Sequence, residues 1–324
     1  MRIKKSKSIP VFNIIICLLF FFFSNAFVAQ TGLPINRKII YHQGVKRIYH
    51  IYLPKNFDWK TPTPMVIALH GGGGKGRTFD KETTQNTLTM EADKLGLVLV
   101  FPEGMDKHWN DGRTELFKKK KAYDDVGFIS KIIDRMIKNY GIDASRVYAT
   151  GISNGGLMSI RLAIDLTEKI AAIAPVASQL SKVLENKEPS LPIAIMILNG
   201  TSDPLIPFHG GAIKLFKFSR SRGEVLSTEA TIAHFKTYNK CQEKIERNKL
   251  EDKNPHDGTN VEIEKYSDCQ DGTEVILVKV NGGGHTWPGG EQYLKPRIVG
   301  VVSKEINASE MILNFFLAHS RKEK

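Results

Sequence analysis

One stretch limits the possible folds of this chain more than any other. Residues 146–156 read RVYATGISNGG, a short apolar segment that runs straight into three glycines, with Ser153 between the first two. A strand ending near Gly151 and a helix starting near Gly155 can be joined only by a very sharp turn. Side chains at Gly151 and Gly155 would collide with neighbouring backbone there, and Gly156 extends the room into the first helical turn. The residue at the apex is forced into a strained conformation at the exposed end of the strand. The plain alternative is a glycine-rich strand–helix turn carrying an incidental serine.

The flanking sequence repeats the same strand-then-helix alternation. Two alternating runs, RKIIYH and KRIYHIYLP, flank Gln43-Gly44 and predict an opening hairpin. PMVIALH (64–70) and LGLVLVFPEG are continuous apolar runs, as expected of strands covered on both faces. A helix is expected near residues 80–95. A second is expected where Val126, Ile129, Ile132, Ile133, Met136, Ile137 and Tyr140 recur at helical spacing, capped by Asp124 or Asp125 and ended by Gly141. IAAIAPVAS and LPIAIMILNG predict two more buried strands; a helix near 228–240, a strand pair (VEIEKYSD, TEVILVKV) and a closing helix (ASEMILNFFLAH) complete the pattern. The fold class is therefore α/β, with a mostly parallel, doubly wound sheet and helices on both faces. The polar segment 243–260 is expected to be a surface loop.

The first residues have a separate purpose. MRIKKSKSIP carries four basic residues and no acid, an apolar run follows, and SNAFVAQ supplies small residues at the exit. This is the pattern of a secretory signal peptide spanning 1–29, with cleavage after Ala26 or Ala29, and it leaves residues 30–324 as a single domain; the alternative is an uncleaved membrane anchor, for which the apolar run is short. Cleavage leaves no membrane span and lowers the net charge from +12 to +8. Lys118 to Lys121 form the densest basic run, expected to be a solvated loop; with no aromatic or helical reader beside it, nucleic acid is not an expected partner. A secreted or periplasmic location is oxidising, so the remaining Cys241 and Cys269 are expected to pair, the alternative being two buried thiols. They have no histidine partners at zinc-ligand spacing, and no metal site is expected.

A serine on such a turn is a weak nucleophile until a base takes its proton and an acid orients that base. After a strand–serine–helix turn the partners follow in the order acid, then histidine. His285, in VNGGGHTWPGG, sits on a glycine-rich turn after the last strand pair, and Asp203, in NGTSDPLIP, lies on the loop leaving a buried strand. His42, His50, His70, His108 and His209 have other placements, and His234, His256 and His319 fall on helices or in the polar loop. Developing negative charge needs backbone donors. LHGGGGKG offers the amide of Gly72, or of Gly73, and Asn154 offers the amide after the serine. Trp109 and Trp287 are candidate substrate-binding walls, with Phe208 and the polar Asn110, Asp111 and Arg113 nearby.

LHGGGGKG, HWNDGR, DDVGFI, GISNGG, NGTSDPLIPFHGG and GGGHTWPGG together resemble the polyhydroxybutyrate-depolymerase-like esterases, a group that includes secreted feruloyl esterases. The resemblance runs from about Arg37 to His319. It implies an α/β-hydrolase fold, ester hydrolysis without metal or organic cofactor, and a triad on Ser153, Asp203 and His285; the Cys241–Cys269 pair also looks like the family's disulfide. The chain departs from the pattern in its lysine-rich insert after HWNDGR and in the polar loop before Val261, both of which can reshape the rim. The expected partner is an ester on a polysaccharide, feruloyl or acetyl. The rivals are a polyester depolymerase and a catalytically silent carbohydrate-binding domain.

Overall fold

The structure, a computed structural model, describes residues 35–117, 121–215 and 219–322. The expected signal peptide and Lys118 to Lys120 lie outside the described residues. The hairpin expected at Gln43-Gly44 opens the fold, with β1 (Asn36–His42) antiparallel to β2 (Val45–Tyr52). Then come β3 (Thr63–Leu69), β4 (Val98–Pro102), β5 (Ile142–Ile152), β6 (Ala172–Val176) and β7 (Ala194–Gly200). A small ribbon of β8 (Gly211–Ala212) and β9 (Glu224–Val225) follows, and β10 (Glu246–Lys249), β11 (Asn260–Tyr266) and β12 (Val275–Asn281) complete the strands. The helices are α1 (Thr87–Leu95), α2 (Asp125–Tyr140), α3 (Asn154–Asp165), α4 (Thr228–Tyr238), the short α5 (Pro296–Val299) and α6 (Ala308–Leu317).

The main sheet has ten strands in the order β1-β2-β4-β3-β5-β6-β7-β12-β11-β10. Its six central strands, β4 through β12 in that order, are parallel, and antiparallel pairs flank them at both edges. The reason lies in the residues. In β3 every residue is buried; Met65, Ile67 and Leu69 face one core while Val66 and Ala68 face the other. The first core is closed by Phe128, Ile129 and Ile132 of α2, Met158 and Leu162 of α3, and Phe235 of α4. The second is closed by Leu88 of α1 and by Ile312, Leu313 and Phe316 of α6. A continuous apolar strand needs cover on both faces, and the alternation supplies one contact set to each.

Three local outcomes refine the expectations. Asp124 caps α2 by accepting from the Gly127 amide at 2.9 Å, and Gly141 ends it at φ 62°. Asp125 is buried instead, paired with Arg47 at 2.6 Å, whose guanidinium also lies 3.8 Å from the Phe128 ring centroid. The helix expected at 80–95 is broken: Gln85 and Asn86 are left-handed, at φ 58° and 63°. Asp80 explains the break, because its carboxylate accepts from the amides of Leu88 and Thr89 and from the Thr84 and Thr89 hydroxyls, capping α1 from outside. The polar segment 243–260 is not all loop. It carries β10, whose four residues, Glu-Arg-Asn-Lys, are all exposed. A short charged strand is a safe sheet edge because it discourages further pairing.

Cys241 follows α4 and Cys269 follows β11, and the two are joined by a disulfide with a Cα–Cα distance of 3.9 Å. The bridge ties the end of α4 to the antiparallel edge of the sheet.

Candidate active site

The loops leaving β3, β5, β7 and β12 all emerge at the carboxyl ends of the parallel strands, where ligands bind in open α/β sheets. Each brings one predicted residue. Ser153 stands between β5 and α3 at φ 58° and ψ −126°, a conformation that costs a non-glycine residue free energy and persists only when its surroundings enforce it. They do so here: the Ser153 amide donates to the Val176 carbonyl at 3.0 Å, and the Ser178 hydroxyl donates to the Ser153 carbonyl at 2.8 Å. The glycines are needed for space. A Cβ at Gly151 would lie 2.6 Å from the Leu69 carbonyl oxygen, and one at Gly155 would lie 2.6 Å from that of His70.

His285, on the loop after β12, is 3% exposed. Its Nδ1 lies 2.7 Å from Asp203 Oδ2, and a carboxylate can only accept, so Nδ1 carries the proton. That leaves Nε2 as the basic nitrogen. Asp203, on the loop after β7, is fixed in turn: its Oδ1 accepts from the amides of Leu205 and Ile206 at 2.8 and 2.9 Å. Tyr293 holds the histidine from the other side, its hydroxyl donating to the His285 carbonyl at 2.8 Å. Burial, and then the charge of Asp203, raise the Tyr293 phenol above its ordinary value, so it stays a donor.

In the glycine loop after β3 the candidate amides differ in their partners. The Gly73 amide is spent on the Lys107 carbonyl at 2.8 Å and that of Gly74 on Gly71 at 3.0 Å, which leaves Gly72 facing the cleft beside Ser153. Asn154 is the first residue of α3, where the amide has no partner within the helix. Its side chain locks the helix start in place: Oδ1 accepts from the Trp109 amide at 2.8 Å, and Nδ2 donates to the Trp109 carbonyl at 3.0 Å and to Asp111 at 2.7 Å. Asp111 is itself clamped by Arg113.

Glu103, at the end of β4, anchors the far side of the loop. Its carboxylate accepts from the amides of Gly76 at 2.9 Å and Arg77 at 3.0 Å and from His50 Nε2 at 3.0 Å. Burial is the largest single influence and pushes its pKa up, but the bonds from His50, Arg77 and Gly76 together outweigh it and hold it at about 2. His70 is buried, and burial lowers its pKa; its Nε2 accepts from the Gly104 amide at 3.0 Å, so its proton is on Nδ1, toward the Gly71 carbonyl. His70 is therefore a neutral strut of the loop.

Two arms meet at Ser153. One, of about 680 Å³, is lined by Gly71 to Gly74, Phe79, Ile152, Leu205, His285 and Tyr293. The other begins as a pocket of about 60 Å³ against Gly72, His108, Ser153, Asn154 and Arg222. It shares His108, Leu116, Leu215 and Arg222 with an open groove of about 1080 Å³. The expected tryptophan walls are corrected: Trp109 and Trp287 are both 0% exposed. Trp109 donates from Nε1 to the His70 carbonyl at 2.8 Å, and Trp287 packs edge-on against Phe79 with its Nε1 on Ser309. Both are structural supports behind the cleft. Phe208, Asp111 and Arg113 are buried as well.

Sequence reasoning missed the roles of Glu103, His108, Tyr293, Arg222 and the Asn154–Asp111–Arg113 network, because nothing in the local sequence reveals contacts such as Glu103–Gly76, Asn154–Asp111 and Arg113–Arg222, which are 27, 43 and 109 positions apart. The HWNDGR motif was the available signal for two of them.

A hydroxyl on a strained turn, an imidazole held by a buried carboxylate and two amides beside one cleft are the parts acyl transfer requires. Comparison with known proteins agrees in class. "Putative esterase NocK" of Nocardia uniformis subsp. tsuyamanensis is 28% identical over 258 residues, 78% of this chain and 74% of the relative. The bifunctional acetylxylan esterase/xylanase XynS20E of Neocallimastix patriciarum is 26% identical over 75% of this chain and 31% of its own. Feruloyl esterase B of Piromyces equi is 27% identical over 72% and 42%. The chain thus spans less than half the length of the last two. A thermostable esterase structure superposes with a TM-score of 0.53 at 14% identity over 89% of this chain and 64% of that one. Acetyl xylan esterase from Aspergillus awamori superposes at 0.51 and 15% identity over 78% and 94%; these likenesses establish the fold. Residues 58–253 match the family model of phospholipases and carboxylesterases, and with the fold and the ester-hydrolase relatives this makes the chain a member of that α/β-hydrolase family and a carboxylic ester hydrolase.

Proposed function

We propose that the chain is an exported serine esterase that removes feruloyl or acetyl groups from plant cell-wall polysaccharide. The observation that carries this reading is the 2.7 Å bond to Asp203 from His285, which lines the same cleft as Ser153 on its strained turn. His285 Nε2 takes the proton as Ser153 Oγ attacks the ester carbonyl, and Asp203 stabilises the imidazolium that results. The amides of Gly72 and Asn154 hold the oxyanion, helped by the positive end of the α3 dipole. The alcohol leaves with the proton from His285. Water, activated by the same nitrogen, then releases the acid.

The 680 Å³ arm suits the acyl group, because the exposed Tyr293 ring, with the buried Phe79 in the wall behind, gives it aromatic surface. The open second arm suits the alcohol, a sugar chain too long to enclose. Relatives named as acetylxylan and feruloyl esterases support this substrate class. The disulfide, with the expected signal peptide at 1–29 and the catalytic domain at 30–324, supports export. No helix among the described residues is long and apolar enough to cross a membrane.

The test is a side-by-side assay on the protein lacking residues 1–29. Methyl ferulate and acetylated xylan should be hydrolysed far faster than long-chain triglyceride. Clearing of a polyhydroxybutyrate suspension without release of ferulate or acetate would instead favour the polyester reading.

A further inference from the structure

We infer that the second arm of the cleft recognises a carboxylate on the alcohol side of the ester, so that the polysaccharide served is a uronate-bearing one. This deepens the esterase reading and rests on it. Arg222 is the reason. It lines both the 60 Å³ pocket that touches Ser153 and the groove of about 1080 Å³ beyond. Its backbone is rigidly held: the amide donates to Ile213 at 2.9 Å, and the carbonyl accepts from Arg113 at 2.8 Å.

Among the described residues, no neighbouring carboxylate, Glu115 of the same groove included, pairs with Arg222. Arg113 is bound bidentately by Asp111, which also accepts from Asn154, so that carboxylate is fully engaged. Arg222 makes no ion pair among the described residues. Burial, and then the nearby Arg113 charge, lower its pKa. Further along the groove, Lys182 reaches Glu224 at only 3.7 Å, and Lys121 and Arg220 add positive charge against the carboxylates of Asp106 and Glu115. A half-buried guanidinium beside a reaction centre is poorly solvated, and a carboxylate matches its planar donor fork. His108 stands at the same junction. Its Nδ1 donates to the Asp106 carbonyl at 2.9 Å, leaving Nε2 to accept from a sugar hydroxyl.

The experiment uses ester-free ligands first, so its outcome is independent of hydrolysis. Oligogalacturonide and neutral xylooligosaccharide of equal length are titrated calorimetrically into the wild type, Arg222→Gln and Arg222→Lys, with melting curves to confirm folding. The wild type should bind the acidic oligomer about tenfold or more tightly than the neutral one, as expected of a charge-assisted bond. Arg222→Gln should abolish that ratio and Arg222→Lys should keep part of it. The wild-type preference should also shrink in about 0.5 M salt. With acetylated versions of the same oligomers, the acidic-to-neutral ratio of kcat/KM should fall in Arg222→Gln by a similar factor. Equal binding of both oligomers by the wild type, or an unchanged ratio in a folded Arg222→Gln, would overturn the inference. A wild type that binds the acidic oligomer but hydrolyses neither acetylated nor feruloylated forms of either oligomer would leave the carboxylate site standing and sink the proposed substrate class.

Discussion

Replacing Glu103 by glutamine should cost stability and turnover together, with a distinctive pH signature. The carboxylate accepts three bonds, from the Gly76 and Arg77 amides and His50 Nε2. A glutamine has one acceptor oxygen, and its NH₂ would face an amide N–H that also needs an acceptor. The difference between the ordinary 4.5 and about 2, at ~1.4 kcal/mol per pH unit, corresponds to roughly 3 kcal/mol. The side chain is only 24% exposed, so solvent screening reduces this little. The pKa is lower folded than unfolded, so the folded state binds fewer protons between about pH 2 and 4.5. The stabilisation is therefore complete above about 4.5 and is lost as pH falls through about 2. Urea unfolding should show Glu103→Gln about 3 kcal/mol less stable at neutral pH, with the gap closing toward about pH 2 because the variant has no group titrating there. Because Gly76 and Arg77 follow the loop that presents Gly72, kcat should also fall by roughly tenfold, less than the ~10² to 10³ for deleting an oxyanion donor outright. A gap that stays constant down to about pH 2.5 would show that these bonds do not hold the loop by charge.

Other outcomes follow from the same geometry. Asp203→Asn should cut turnover by about 10⁴-fold with the fold intact by circular dichroism, since the amide no longer fixes the imidazole tautomer; a negligible loss would move the role to another acid. Reducing Cys241–Cys269, which closes a loop with a sequence separation of 28, should destabilise by roughly 3 to 4 kcal/mol in the chain-entropy model. Thermal melts with and without reductant read this, and peptide mass spectrometry of exported protein should find the bridge. Gly155→Ala places a Cβ against the Leu69 and His70 carbonyls, so it should lower stability by about 2 kcal/mol or more and abolish activity, whereas an unchanged melting temperature would mean the turn has slack.

The sheet and the turn residues were legible because each follows from a local pattern. Unbroken apolar runs imply strands covered twice, and G-x-S-x-G between a strand and a helix has few geometric solutions. His285 and Asp203 could be chosen because strand ends are visible in sequence and the chain order is fixed by the topology. The tryptophans were misplaced for the converse reason: HWN and HTWPGG mark loops, but not which side of a loop faces the cleft. Trp109 and Trp287 turn inward as supports, while Tyr293, in an unremarkable stretch, gives the arm its exposed aromatic surface. The break at Gln85-Asn86 was invisible because it depends on Asp80 capping a helix that starts seven residues later. Arg222 carries no local mark either; its meaning comes from Arg113 and Asp111 being satisfied without it.

The central claim is that Ser153 is activated by His285 and Asp203. A fluorophosphonate probe tests it most directly, because such reagents modify a serine only when its hydroxyl is primed for attack. Intact-mass and peptide analysis of the treated protein should find a single adduct on the peptide containing Ser153. Ser153→Ala should give none, and His285→Ala should label far more slowly while remaining folded. An adduct on another residue, or a folded Ser153→Ala that still hydrolyses ester, would contradict the account.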